Sequence, residues 1–247
     1  MRNLLIAATF AALATPALAD GRPNWSGFYL GAHAGYGWGS TDVDLSNSTG
    51  AIFYSDPFVP DQGSLSDGSG FIGGLTVGAN KQFGDVVLGL EADVSWPDAE
   101  TTGTFTTPLG SQWAITSDLK TLGTVRGRLG FLATPALLVY ATGGLAWGQV
   151  DVTQATTFVT VPGGAFLDDG GRTSGDFNHI GYALGAGLEY DLGGGWSFKS
   201  EYLYVDLGKE DYQLTGTTKP GGSTPYVETF GSDLELHTIR AGLNYRF

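Results

Sequence analysis

The sequence predicts an all-β fold: an eight-stranded antiparallel transmembrane β-barrel with short turns at one end and long loops at the other. Three observations predict it. Apolar side chains alternate with small or polar ones at period two through eight segments, which is the periodicity of a strand and not of a helix. No apolar run beyond the N-terminus reaches the ~20 residues that a membrane-spanning helix needs. The chain of 247 residues carries 40 Gly and 15% charged residues, whereas an average soluble domain has about 7% Gly and about 25% charged residues.

The N-terminus reads as an export signal. Met1, Arg2 and Asn3 form a short positive region, Leu4 to Leu13 is apolar or small, and Pro16 precedes Ala17-Leu18-Ala19, an A-x-A cleavage pattern. Residues 1–19 are therefore expected to be a cleaved signal peptide and residues 20–247 the barrel domain.

The first strand runs from Trp25 to Trp38, with Phe28, Leu30, Ala32, Ala34, Tyr36 and Trp38 on one face and Tyr29, Gly31, His33, Gly35 and Gly37 on the other. The second, Phe71 to Phe83, sets Leu75, Val77 and Ala79 against Thr76, Gly78, Asn80 and Gln82. A tight Gly84-Asp85 turn leads to Leu88, Leu90, Ala92, Val94 and Trp96, opposed to Gly89, Glu91, Asp93 and Ser95. The fourth strand opposes Val125, Leu129 and Phe131 to Thr124, Arg126, Arg128 and Gly130. After a turn at Ala133-Thr134-Pro135-Ala136, the fifth carries Val139, Ala141, Leu145 and Trp147 on its apolar face. The sixth opposes Ile180, Tyr182, Leu184, Ala186, Leu188 and Tyr190 to Gly181, Gly185, Gly187 and Glu189. Past Gly193-Gly194-Gly195, the seventh opposes Trp196, Phe198, Tyr202 and Tyr204 to Lys199 and Glu201. The eighth opposes Ile239, Ala241, Leu243, Tyr245 and Phe247 to Arg240, Asn244 and Arg246.

A soluble lipocalin-like barrel or a β-sandwich also alternates, but it turns its apolar face inward and its charged face to water. Here the polar face is mostly Gly, Ser, Thr and Asn. A narrow lumen demands that, because eight strands leave an interior only wide enough for side chains. Trp38, Trp96, Trp147, Trp196 and Tyr245 gather near strand ends, where a membrane interface places aromatics. The segments near 39–70, 97–112, 150–178 and 206–233 read as long loops rich in Gly, Ser, Thr, Asp and Pro. An even strand count puts both termini with the short turns, on the periplasmic side.

Composition narrows the chemistry. The absence of Cys excludes disulfides and thiolate metal sites, and three His make an imidazole cage unexpected. No catalytic, cofactor or metal residue is assigned. Twelve Lys+Arg against 25 Asp+Glu argue against a nucleic-acid partner, which needs a basic footprint. His33 lies on the polar face and reads as a hydrogen-bonded lumen residue. His179 sits where a loop meets a strand, and His237 faces outward near the outer rim. No Ser-His-acid spacing stands out, so an enzyme is not expected.

The expected lumen charge network is Glu91, Asp93, Arg126, Arg128, Lys199, Glu201 and Arg240. It is drawn from a wider polar-face set that also holds Lys120, Arg246, Glu189 and Asp191. As a plug these groups satisfy one another across the lumen, since an unpaired buried charge is costly. As a channel they would line a narrow pore and bias ion passage. Near-equal numbers of both signs favour the plug, with Arg126 and Arg128 expected to face Glu91 and Asp93 on the adjacent strand. The acidic excess sits in the loops: Asp42, Asp44, Asp56, Asp61 and Asp67; Asp151, Asp168, Asp169 and Asp176; Asp206, Glu210, Asp211, Glu228 and Asp233. It reads as a solvated surface or, more sharply, as divalent-cation contact with lipopolysaccharide.

Several stretches carry a resemblance. They are Asn24-Trp25-Ser26-Gly27-Phe28-Tyr29-Leu30-Gly31, Gly89-Leu90-Glu91-Ala92-Asp93 and Gly123-Thr124-Val125-Arg126-Gly127-Arg128-Leu129-Gly130. Tyr140-Ala141-Thr142-Gly143-Gly144-Leu145-Ala146, Glu201-Tyr202-Leu203-Tyr204-Val205-Asp206 and Arg240-Ala241-Gly242-Leu243-Asn244-Tyr245-Arg246-Phe247 complete the set. In that order they resemble the small alphaproteobacterial outer-membrane proteins of the "porin family", major surface-antigen type, with an OmpA/OmpX-like β-barrel domain. The resemblance implies a structural protein of the outer membrane that supports envelope integrity and surface interactions. It implies outer-membrane lipids, lipopolysaccharide and the barrel-assembly machinery as partners, and host or envelope partners through the loops. It also marks Leu243, Tyr245 and Phe247 as the assembly signal. The alternatives are a narrow pore for ions or small solutes, and a loop-borne ligand surface such as the haemin binding attributed to some relatives.

Overall fold

The computed structural model describes residues 23–49, 62–64, 68–98, 100–106, 112–157, 172–217 and 225–247. The signal segment 1–19 lies outside the described residues. The strands are β1 (Gly27–Thr49), β2 (Gln62–Ser64), β3 (Gly68–Phe83), β4 (Val86–Asp98), β5 (Glu100–Thr106), β6 (Gln112–Thr134), β7 (Leu137–Thr157), β8 (Arg172–Gly193), β9 (Trp196–Thr217) and β10 (Pro225–Arg246). Eight of them pair antiparallel in the order β1, β3, β4, β6, β7, β8, β9, β10, and β10 pairs back onto β1, with Leu30 opposite Tyr245 and Ala34 opposite Ala241. Closure leaves no strand edge in the bilayer, where every backbone N–H and C=O must find its partner within the protein.

The eight predicted segments are the eight barrel strands, but they run further than the sequence pattern showed. β6 and β7 stay paired out to Gln112 opposite Thr157, and β9 and β10 out to Thr217 opposite Pro225. Two short strands flank this outer extension: β2 on β1 and β5 on β6. Much of the predicted loop sequence is therefore strand. Alternation in sequence reports a difference between the two faces, and it fades where both faces are polar. The hydrogen-bonded ladder needs no such difference to propagate.

At the opposite end the connections are two-residue turns, Gly84–Asp85, Pro135–Ala136 and Gly194–Gly195. Gly84 and Gly194 each open their turn at φ +63°. A tight hairpin needs this left-handed backbone to follow the twist of its strands, and only Gly adopts it without strain.

The alternating apolar face points out. Leu90, Leu145 and Ile180 are 67%, 65% and 69% exposed, values that identify a lipid-facing surface. On β1 the outward row runs from Phe28 through Leu30 to Tyr36 and Trp38, while Tyr29 and His33 are buried inside.

The lumen is stratified. At the turn end Val87, Leu132, Leu138 and Tyr140 pack with Trp25 in one apolar layer. Trp25 is not part of the first strand, as the alternation suggested; it lies in the segment before β1. Its backbone N–H donates to Gln82 Oε1 (2.9 Å), its indole N–H donates to the Pro135 carbonyl (3.2 Å), and the Arg246 guanidinium stands 5.0 Å over its ring. Toward the loop end Leu122, Ala146, Val150, Ala183, Leu203, Val205, Leu207 and Leu236 form a second apolar layer. The polar side chains lie between the two.

Lys120 corrects the predicted polar face. The β6–β7 register shifts between Leu119 and Thr121, so the inward side chains change phase from Thr124 and Leu122 to Leu119 and Ser117. Lys120 sits at that shift, exposed, and pairs with Asp118 outside the lumen.

Candidate functional site

Among the described residues, eight charged side chains are buried in the middle layer: Glu91 and Asp93 on β4, Arg126 and Arg128 on β6, Glu189 on β8, Lys199 and Glu201 on β9, and Arg240 on β10. Their position follows from the pleat, which sends every second residue inward. Four cations meet four carboxylates.

Arg126 is the hub. Its Nη2 lies 2.7 Å from Glu91 Oε1 and 2.8 Å from Asp93 Oδ2, and its Nη1 lies 3.2 Å from Glu201 Oε1. Its Nε donates to Thr124 Oγ1 (2.9 Å), and the Thr124 hydroxyl donates to Asp93 Oδ2 (2.6 Å). Arg240 clamps the other side, with Nη1 3.0 Å from Asp93 Oδ1 and Nη2 on Glu201 Oε1. Lys199 Nζ reaches Glu91 Oε1 at 2.8 Å. Because β4 and β9 stand on opposite sides of the barrel, that last contact crosses the lumen.

Tyrosines complete the carboxylate shells. Tyr29 donates to Glu91 Oε2 (2.6 Å) and Tyr140 donates to Glu201 Oε2 (2.9 Å). Such satisfaction is what makes buried charge tolerable, since an ion taken out of water without partners costs several kcal/mol.

The predicted pairing of two arginines with two acids on the neighbouring strand holds for Arg126 alone. The register sets Glu91 opposite Arg126 and Asp93 opposite Thr124, which leaves Arg128 opposite Gly89. Arg128 therefore reaches past β7 to Glu189 on β8 and stacks 3.7 Å from the Tyr140 ring centroid. Glu189 also accepts from Ser197 Oγ (2.5 Å) and Asn244 Nδ2 (2.9 Å). It was visible on the polar face of its strand yet absent from the expected network. The signal that could have found it is its own parity, since Glu189 shares the inward phase of Gly185 and Gly187.

The apolar layers were missed as well. Here a sequence signal existed: Leu137-Leu138-Val139-Tyr140 and Leu203-Tyr204-Val205 are apolar in both phases, which is the mark of a strand buried on both faces.

Inside the lumen, the His33 ring nitrogens lie 3.1 Å from Thr76 Oγ1 and 2.9 Å from Ser95 Oγ. His179 points inward and is buried. His237 points outward, stacked on Trp38 with centroids 5.8 Å apart. Leu243 and Tyr245 lie on the outward face of β10, and Phe247, just past its end, is exposed with them. There Tyr245 packs on Trp196 and Phe247, and the Phe247 N–H donates to the Phe28 carbonyl. Loop acids Asp56, Asp61, Asp67, Asp168 and Asp169 lie outside the described residues.

A closed eight-stranded barrel with a lipid-facing apolar wall and a side-chain-filled interior is the architecture of a small outer-membrane protein. The sequence pattern of the outer membrane protein beta-barrel domain family matches residues 5–247, and the chain belongs to that family. The 31 kDa outer-membrane immunogenic protein of Brucella melitensis is 35% identical over 227 residues, covering 91% of this chain and 84% of that protein. The 22 kDa outer membrane protein of Rhizobium leguminosarum is 30% identical over 224 residues, covering 91% and 79%. Among solved structures, OprG of Pseudomonas aeruginosa superposes with a TM-score of 0.49 at 14% identity, covering 91% of this chain and 98% of that one. The protein resides in the outer membrane.

Proposed function

We propose that this protein is a structural, non-catalytic barrel that contributes to envelope integrity and offers its loops to surface partners, and that it is not a pore. The observation that carries this reading is the cross-linked charge layer held between two apolar layers. An ion crossing the lumen would need a wetted path through both apolar layers, and a conducting filter must bind ions weakly enough to release them. Mutually neutralised side chains, pinned to opposite walls, provide neither. The enclosed position of His33, between two hydroxyls, supports a structural rather than a catalytic role for it. The word "immunogenic" in the name of the Brucella relative fits loops that reach the cell surface.

Single-channel recording of the refolded protein in a planar bilayer tests the reading. The expected record shows no steady conductance. Steady, ion-selective steps would overturn it in favour of the pore.

Delivery by the barrel-assembly machinery belongs to the same proposal. Deleting Phe247 removes an outward aromatic contact with Tyr245 and the N–H bond to Phe28 on the strand that closes the barrel. The amount of heat-modifiable, folded protein in the outer membrane is expected to fall, measured by comparing unboiled and boiled samples on a gel.

A further inference from the structure

On the outward face, one sector of the loop-end rim differs from the rest. Trp38 on β1, His237 on β10 and Tyr204 on β9 are direct cross-strand partners, and their rings form a continuous row. Trp38 and His237 stack at 5.8 Å and 16°, and Tyr204 meets His237 at 5.1 Å. Tyr182 on β8 extends the row, 6.2 Å from Tyr204. One step toward the bilayer, Tyr202 shares a hydrogen bond with His237 Nδ1 at 2.7 Å. One step away from it, Glu235 and Asp206 are paired directly across β10 and β9. Asp206 interacts electrostatically with Tyr182, and Glu235 with Tyr204.

An ordinary aromatic girdle needs none of this. Trp96 and Trp147, elsewhere on the rim, are exposed and lend apolar bulk to the interface, which is the usual role of such residues. In the four-strand sector, hydroxyls, an imidazole and two carboxylates gather on the membrane-facing side. Two carboxylates directly opposite on neighbouring strands repel one another, so their placement favours a ligand that supplies donors. The patch is continuous with the exposed apolar wall and lies toward its loop end.

We propose that this sector is a binding site for the saccharide headgroup of an outer-leaflet glycolipid. The aliphatic C–H face of a pyranose ring is weakly positive and packs on the negative face of an aromatic ring, for which the Trp38–His237–Tyr204 row provides a platform. The Asp206 and Glu235 carboxylates accept hydrogen bonds from sugar hydroxyl or ammonium groups, and the Tyr202–His237 pair offers a polar anchor one step deeper. The proposal names the lipid partner of the structural reading and rests on outer-membrane residence. It does not depend on the lumen being sealed, so conductance and glycolipid binding can fail separately.

The test uses the full refolded barrel in detergent, titrated with purified lipopolysaccharide and, in parallel, with phosphatidylglycerol. Binding is read as retention of glycolipid in native mass spectrometry and as a shift in the temperature of the folded-to-unfolded gel transition. The parent is expected to bind lipopolysaccharide in preference to phosphatidylglycerol. The Tyr204→Leu/His237→Leu variant keeps apolar bulk on the wall and is expected to bind lipopolysaccharide at least tenfold more weakly. Trp96→Leu/Trp147→Leu, at the rim outside the sector, is expected to bind like the parent. Equal loss in both variants would reduce the sector to part of a general girdle and overturn the proposal. Undiminished binding in the Tyr204→Leu/His237→Leu variant, equal binding of the two lipids, or no binding by the parent would overturn it too.

Discussion

Arg126→Ala is expected to lower the unfolding free energy of the barrel by about 3–5 kcal/mol, the cost of removing one partner from a buried ion pair. The figure belongs at the upper end of that range. Arg126 faces three carboxylates at once, Glu91, Asp93 and Glu201, and its loss leaves four buried acids against three buried cations. Arg126→Lys keeps the charge but not the planar fork that reaches several oxygens, so an intermediate loss is expected. Urea unfolding of the barrel in lipid vesicles, followed by Trp fluorescence, measures both. An Arg126→Ala midpoint equal to that of the parent would mean that water already screens these groups, and the plug would have to be abandoned. Conductance should stay absent in the variant, because the two apolar layers are untouched.

Gly144→Ala is expected to prevent assembly of the folded barrel. A Cβ at Gly144 would overlap the Val125 carbonyl oxygen and come within 2.7 Å of the Arg126 Cα. Both obstacles are backbone atoms of the paired strand, so no rotamer change relieves them, and Arg126 is the residue displaced. Gly127 is the internal control. A Cβ there finds its nearest atom, the Gly143 carbonyl oxygen, at 3.8 Å, and Gly127→Ala should assemble like the parent. Heat-modifiability of outer-membrane fractions reads the two side by side. Comparable yields of folded Gly144→Ala and Gly127→Ala protein would show that the strands can separate there.

Gly144 also illustrates what a sequence can and cannot reveal. Abundant Gly on the polar face pointed to a narrow lumen, and that inference needed only the volume available inside eight strands. Which Gly faces a neighbouring backbone depends on the coiling of two particular strands, a quantity with no local signature.

The charge layer divides in the same way. Inward direction follows from parity along one strand, so all eight members lie on faces that counting residues gives, Glu189 among them though outside the expected network. Partnership follows from register between strands, and a two-residue offset is enough to place Arg128 opposite Gly89 and send it past β7 to Glu189. Lys120 shows the limit of parity itself. A single shifted pairing between Leu119 and Thr121 turns Leu119 and Ser117 inward and leaves Lys120 exposed, and nothing in that stretch of sequence announces it.

By itself, then, the sequence determined the eight barrel strands, the lipid-facing wall, the short turns and the charged and glycine-rich part of the lumen. Each of these rests on period-two alternation or on the backbone preferences of single residues, which act locally. The tertiary structure alone decided which charges meet across the lumen, how Trp25 closes the turn end and how Trp38, His237, Tyr204 and Tyr182 come together on the rim. Those contacts join residues up to about two hundred positions apart, and only the closing of β10 onto β1, with the register it imposes, brings them within reach.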